Sequence, residues 1–313
     1  MHPALSVIVF TTATGAGYGM LFWLGMFAVA NGLPPDRYFA PASLLLSLVF
    51  ISAGLLSSTL HLGHPERAWR AISQWRSSWL SREGLAALLT YIPALLFGMG
   101  ILVFHRTGGI WALFGALAAL GATVTVICSA YIYRSLKPIQ RWANGWVLPN
   151  YLALAAMTGA LWLAALAAFS GVEPPTIVWL ALTLIFPAAL LKLAYWNYID
   201  RTGSASTAET ATGLAGPVNL LDPPHTAENY LLKEMGFRVA RKHAARLRRI
   251  AFAAAFVLPF LLVLTGLFAG HSARLALFAA AAPLATVGAL IERWLFFSEA
   301  KHTVTLYYGA ARA

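Results

Sequence analysis

The sequence predicts an all-α, polytopic membrane protein, a bundle of eight transmembrane helices, and three observations carry that expectation. Of its 313 residues, 59% are hydrophobic and 11% charged, against roughly 25% charged in soluble domains. The apolar residues fall into eight runs, each near the ~20 residues a helix needs to cross the hydrocarbon. The short alternating segments of a membrane barrel are absent. Lipid offers the backbone no hydrogen-bond partner, so each run must be a helix.

The first run, Ser6 to Asn31, starts almost at Met1 without a basic leader and outlasts a signal-peptide core, so it is expected to remain as a span. Its small residues Thr14, Gly15, Ala16, Gly17 and Gly19 suit close helix packing. A phosphate-binding glycine loop would need a preceding strand and water. The other runs are Ala40 to Leu60, Gly84 to Phe104, Gly109 to Tyr133, Val147 to Ser170, Pro174 to Tyr198, Ile250 to Gly270 and Ala273 to Phe297. Residues 1–313 read as one membrane-anchor domain, with the long connection 199–249 inside it. The second half of that connection, from His225, spaces Tyr230, Leu231, Met235, Phe237 and Val239 among charges, the pattern of an amphipathic helix on the membrane surface. That surface suits anionic lipid and a soluble subunit equally.

Lysine and arginine outnumber aspartate and glutamate by 22 to 11. In a soluble protein this would suggest nucleic acid, but here the charge sits between apolar runs, so no nucleic-acid partner is expected and membrane lipid is. With eight spans, 17 cations fall on the face that holds both termini, while Arg37, Arg106 and Arg274 fall opposite; Lys192 and Arg293 lie inside spans near their ends. Positive-inside bias then puts both termini in the cytoplasm of a multi-pass inner-membrane protein. The lone cysteine, Cys128, provides neither a disulfide framework nor a ligand set for zinc or an iron–sulfur cluster, so no metal site is expected in this chain. No two spans each present a histidine at mid-depth, so no haem is expected.

The polar stretch His61 to Gly84 interrupts this pattern. His61 leaves the second span and Glu83 begins the third, which brings an imidazole and a carboxyl group near one membrane depth. Such a pair suits chemistry that moves protons with electrons. Reduction of a quinone takes two electrons and two protons; His61 is placed to hydrogen-bond one ring oxygen and Glu83 to exchange a proton. A plainer reading fits the spacing too, with His61 capping its helix and Glu83 paired with Arg67 or Arg82. His64 precedes Pro65, a residue that starts helices well, so Pro65 to Trp75 is expected as a short interfacial helix. Trp69, Trp75 and Trp79 read as anchors at the headgroup level.

The run HLGHPERAWRAISQWRSSWLSREG resembles the signature of the membrane anchor subunit family of dimethyl sulfoxide reductase. The likeness extends over nearly the whole chain, through YIYRSLKPIQRW after the fourth span and AENYLLKEMGF late in the sixth connection. The resemblance implies a quinone-reactive anchor for an iron–sulfur electron-transfer subunit and a molybdopterin catalytic subunit. The molybdenum cofactor and the clusters would be on those partners, and ubiquinone or menaquinone would be the substrate. It implies quinol-linked residues at His61 and Glu83, with Arg67 and His64 beside them in the pocket. In dimethyl sulfoxide reductase itself the soluble subunits are periplasmic, whereas the charge distribution here puts the equivalent face in the cytoplasm. The opening MHPALSVIVFTTATGAGYGMLFWLG also resembles anchors of cytoplasmic sulfite-oxidising molybdoenzymes, which implies a sulfite dehydrogenase (quinone) complex. Two alternatives stay open. One is quinol oxidation that reduces an S- or N-oxide. The other is a membrane transporter, against which the mostly uninterrupted spans and the polar cluster at one edge argue.

Overall fold

In the computed structural model, residues 4–34, 36–60, 64–171, 175–222, 224, 239–310 and 312 are described. Helices α1 (Leu5–Val29), α2 (Phe39–Thr59), α3 (Trp79–Leu102), α4 (Ile110–Arg134), α5 (Val147–Phe169) and α6 (Pro175–Arg201) are the first six spans. A one-turn helix, α7 (Ala208–Thr212), follows. The seventh span is composite: α8 (Val239–Phe252) runs through a π-helical turn, Ala253–Val257, into α9 (Leu258–Leu267). The eighth is α10 (His271–Ser298). Among the described residues, eight helical stretches are long and apolar enough to cross a membrane, and there is no strand.

Two boundaries differ usefully from expectation. Helix α3 begins at Trp79 rather than Gly84, because Ser78 caps it with its hydroxyl accepting from the Ser81 N–H at 3.4 Å. Glu83 therefore sits inside the helix instead of before it. The seventh span begins at His243, two turns earlier than its apolar run. Residues 225–238 of the expected amphipathic surface helix lie outside the described residues, and from Val239 the chain is already in a helix continuous with the span. The interfacial segment Pro65–Gln74 is present, as a 3₁₀-helix.

Packing is organised around α1, which lies against α2, α4, α5 and α10. A bundle in lipid gains little from apolar burial between helices, so close backbone approach matters more. Gly19 of α1 and Gly159 of α5 show this: a Cβ on Gly19 would sit 2.6 Å from the Ala155 carbonyl carbon, and one on Gly159 would sit 2.6 Å from the Gly19 Cα. The large side chains that remain exposed, such as Leu45, Leu88, Ile92, Leu95 and Phe186, face outward where lipid would be.

The chain alternates direction, so the start of α1 and the ends of α2, α4, α6 and α10 share one end of the bundle. The Ser57 hydroxyl donates to the Ser6 carbonyl at 2.9 Å, the Gln140 amide to the Gly203 carbonyl at 2.7 Å, and the Thr303 N–H to the Pro138 carbonyl at 3.1 Å. This end carries the 3₁₀ segment and the connection after α6. It is also where the buried charges gather.

Candidate functional site

Glu83 is the fifth residue of α3 and only 3% exposed. The Ser129 hydroxyl on α4 donates to its Oε1. The same hydroxyl lies 3.1 Å from the Thr125 carbonyl. One hydrogen serves one acceptor at a time, so Ser129 has two settings. It donates to Glu83 when the carboxyl is ionised; with its hydrogen on Thr125 it accepts from Glu83 when the carboxyl is protonated. The site can therefore hold either protonation state without losing its partner.

No cation neutralises this carboxyl group among the described residues. Arg82 turns away: its Nε donates to the Trp75 carbonyl at 2.9 Å and its Nη2 to the Arg76 carbonyl at 2.7 Å, while its guanidinium lies 4.3 Å from the Trp79 ring. Trp79 in turn stacks on Tyr131 at 4.5 Å. Arg67 is exposed and 3.7 Å from Glu66. The plainer reading of Glu83, a simple pairing with Arg67 or Arg82, is thus not the arrangement found.

The other expected site residues divide. His64 is exposed with its Nδ1 3.0 Å from Glu66 Oε1, so His64 and Arg67 are both engaged with Glu66 rather than with Glu83. His61 lies outside the described residues.

Sequence reasoning counted Lys192 and Arg293 for topology and missed what they build. Lys192 on α6, 1% exposed, pairs with Glu292 on α10, and Arg293 Nη1 lies 3.6 Å from Glu292 Oε2. The Arg293 guanidinium also sits 3.6 Å from the Tyr151 ring. Toward the end of the bundle a second group continues the layer. Arg141 Nη1 donates to Glu299 at 2.9 Å, and Arg248 bridges Glu299 at 2.6 Å and Asp200 at 2.6 Å. Charge placed this deep in an apolar bundle is costly and marks function or a specific packing requirement. The signal available in the sequence was the presence of Lys192, Glu292 and Arg293 inside apolar runs.

Two cavities lie between the spans, and the first reaches this layer at Arg293. A polar one of about 20 Å³ lies between α1, α4, α5 and α10, lined by Thr12, Ser129, Tyr151 and Arg293 among others. An apolar crevice of about 150 Å³ between α1, α4 and α5 shares Val126 and Ala155 with it and reaches Phe22, Thr123 and Ala156. The corner around Glu83 and Ser129 is thus polar and buried, an apolar crevice lies close by, and no cluster of metal-ligating side chains is found among the described residues.

The DMSO reductase anchor subunit (DmsC) family matches residues 1–309. The chain is also 35% identical, over 329 aligned positions, to a sulfite dehydrogenase subunit of Allochromatium vinosum, with 98% of this chain and 99% of that protein covered. A family match that spans the bundle from α1 through the tail after α10, together with eight spans and a buried carboxyl group opening the third, identifies the chain as a membrane-spanning member of the DMSO reductase anchor subunit family.

Proposed function

We propose that this chain is the quinone-reactive anchor of a molybdenum and iron–sulfur sulfite dehydrogenase. Electrons released when sulfite becomes sulfate on the molybdopterin subunit would pass through the iron–sulfur subunit and leave into membrane quinone at this chain. Water and sulfite give sulfate, two protons and two electrons; a quinone, two electrons and two protons give the quinol. Quinone supplies the redox chemistry, and this chain supplies protons and position: Glu83 exchanges a proton with a ring oxygen, Ser129 holds the carboxyl group in either state, and His61 hydrogen-bonds the second oxygen. The crevice between α1, α4 and α5 suits the carrier's apolar tail.

The observation that carries this reading is the burial of Glu83 with a hydroxyl, and no cation among the described residues, as its partner. A carboxylate meant only to pair would be held beside an arginine; one that must gain and lose a proton would not. The likeness to a sulfite dehydrogenase component supports the sulfite substrate, and the excess of cations on the face that holds both termini supports a cytoplasmic position for the soluble subunits in the inner membrane. The match to a DMSO reductase anchor family also favours a second reading, quinol oxidation that reduces an S- or N-oxide; it favours an anchor over a transporter in either case.

Purifying the chain gently from membranes tests this. Molybdenum and iron should co-purify, and the complex should reduce a short-chain quinone when given sulfite. Quinol-dependent reduction of an S-oxide without sulfite activity would favour the second reading, and a chain that carries neither metal would remove both.

A further inference from the structure

The polar cavity beside Ser129 has a size and a lining that the quinone chemistry does not explain. A volume of about 20 Å³ is far too small for a quinone ring, yet it exceeds the ~10–15 Å³ that one water needs. Its lining supplies what such a water requires. Thr12 and Tyr151 are 7% and 4% exposed as residues, and neither side-chain oxygen has a hydrogen-bond partner among the described residues. Two buried hydroxyls left without partners on one cavity are unfavourable, and this is the situation that an ordered internal water relieves. Arg293, also in the lining, brings guanidinium donors, and the lining residue Ser129 is the one bound to Glu83. Gly15 widens the cavity, since a Cβ there would meet nothing within 4 Å.

We infer that this cavity is an internal water site, held by Thr12, Tyr151 and Arg293, through which protons reach Glu83 by way of the Ser129 hydroxyl. The inference rests on the reading of Glu83 as the proton donor to quinone and adds the route by which that donor is refilled. Glu83 gives its proton to the carrier's ring oxygen. A proton then passes from the water through Ser129 to the carboxylate, as Ser129 switches between its two acceptors. The water recovers its proton from the aqueous end of the bundle along the polar layer that begins at Arg293, Glu292 and Lys192 and continues to Glu299 and Arg248. Arginine keeps its own proton throughout and acts by orienting the water.

Two substitutions test the water without disturbing an ion pair. Thr12→Val keeps the shape and deletes the hydroxyl; Gly15→Ala puts a methyl group into the cavity and favours the helix, since alanine is the better helix former. Both variants, with Glu83→Gln as reference, are measured in the intact complex for quinone-linked turnover, turnover with a soluble acceptor, solvent deuterium isotope effect and thermal midpoint. The expected result is a fall of roughly tenfold or more in quinone-linked turnover with a larger isotope effect, and unchanged soluble-acceptor turnover and thermal midpoint, the midpoint even rising for Gly15→Ala. A merely structural role would lower the midpoint and leave the isotope effect alone. Wild-type turnover and isotope effect in both variants, beside a Glu83→Gln enzyme that has lost quinone activity, would overturn the water site. Normal quinone activity in Glu83→Gln would instead overturn the reading on which the inference rests.

Discussion

The Ser129 hydroxyl on α4 reaches 46 residues back along the chain to the Glu83 carboxyl group on α3, and both side chains are buried. That bond couples two neighbouring spans through the group assigned the proton chemistry. Removing its donor strands a buried carboxyl group, which costs about 1–3 kcal/mol or more. Ser129→Ala is expected to lower the thermal midpoint of the complex and slow quinone-linked turnover, with Ser129→Thr restoring much of both. Unchanged turnover in Ser129→Ala would show that the bond is not used.

Lys192 and Glu292 form a pair with almost no exposure, 1% for each. Removing Glu292 leaves Lys192 without its carboxylate, and removing Lys192 leaves Glu292 with only Arg293 at 3.6 Å; breaking a buried pair costs about 3–5 kcal/mol, whereas replacing both members with apolar side chains is often nearly neutral. Glu292→Leu, which strands both Lys192 and Arg293, should destabilise the chain more than Lys192→Met, and the double variant should be more stable than the sum of the two losses predicts. Thermal midpoints in lipid nanodiscs read this directly. Additive losses would mean that the two side chains act independently.

Arg248 ties three segments at the end of the bundle by gripping Asp200 with both Nη atoms and Glu299 from Nε and Nη2. Lysine preserves the charge but not the planar fork. Losing one charge-assisted bond of about 1.5–3 kcal/mol raises local opening about tenfold or more. Arg248→Lys should therefore speed hydrogen exchange at the end of α6 and after α10 by that factor, with little change in the middle of α1.

His302 follows α10, outside the spans; its Nδ1 accepts from the Val304 N–H at 3.0 Å, and burial holds its pKa below the usual histidine range. As pH falls, the unfolded segment takes up a proton before the folded one does. The stability contributed by the neutral ring is therefore full above the ordinary histidine value of ~6.5 and is lost as pH drops through the lower folded value. Once corrected for intrinsic rates, exchange at Val304 should accelerate between about pH 7 and about pH 5. His302→Asn keeps an acceptor that does not titrate and should remove the dependence. A flat wild-type profile would contradict the assignment.

How legible this was in the sequence depended on whether the physics is local. Eight spans follow from the length of apolar runs, because lipid leaves the backbone no other choice, and six of them begin within two residues of the expected position. The earlier start of α3 came from a single capping serine, Ser78, and the earlier start of the seventh span from a basic stretch that hydropathy reads as connection. Glu83 was visible as a carboxylate at the start of an apolar run, but spacing alone fitted a pairing with Arg67 or Arg82 equally, and the resemblance of the HLGHPERAW run singled it out. Ser129, Thr12 and Tyr151 did not stand out, because a hydroxyl in an apolar run acquires meaning only from a partner on another helix. Lys192, Glu292 and Arg293 were visible as charges, but their association needs the crossing of α6 and α10.

Glu83→Gln keeps the size of the side chain and removes its ability to ionise, so it tests most directly whether protons reach the carrier through this group. In the intact complex, sulfite oxidation with a soluble artificial acceptor should stay near wild type while quinone reduction falls by about 10²-fold or more. Equal loss in both assays, or no loss in either, would contradict the assignment of Glu83 as the proton donor.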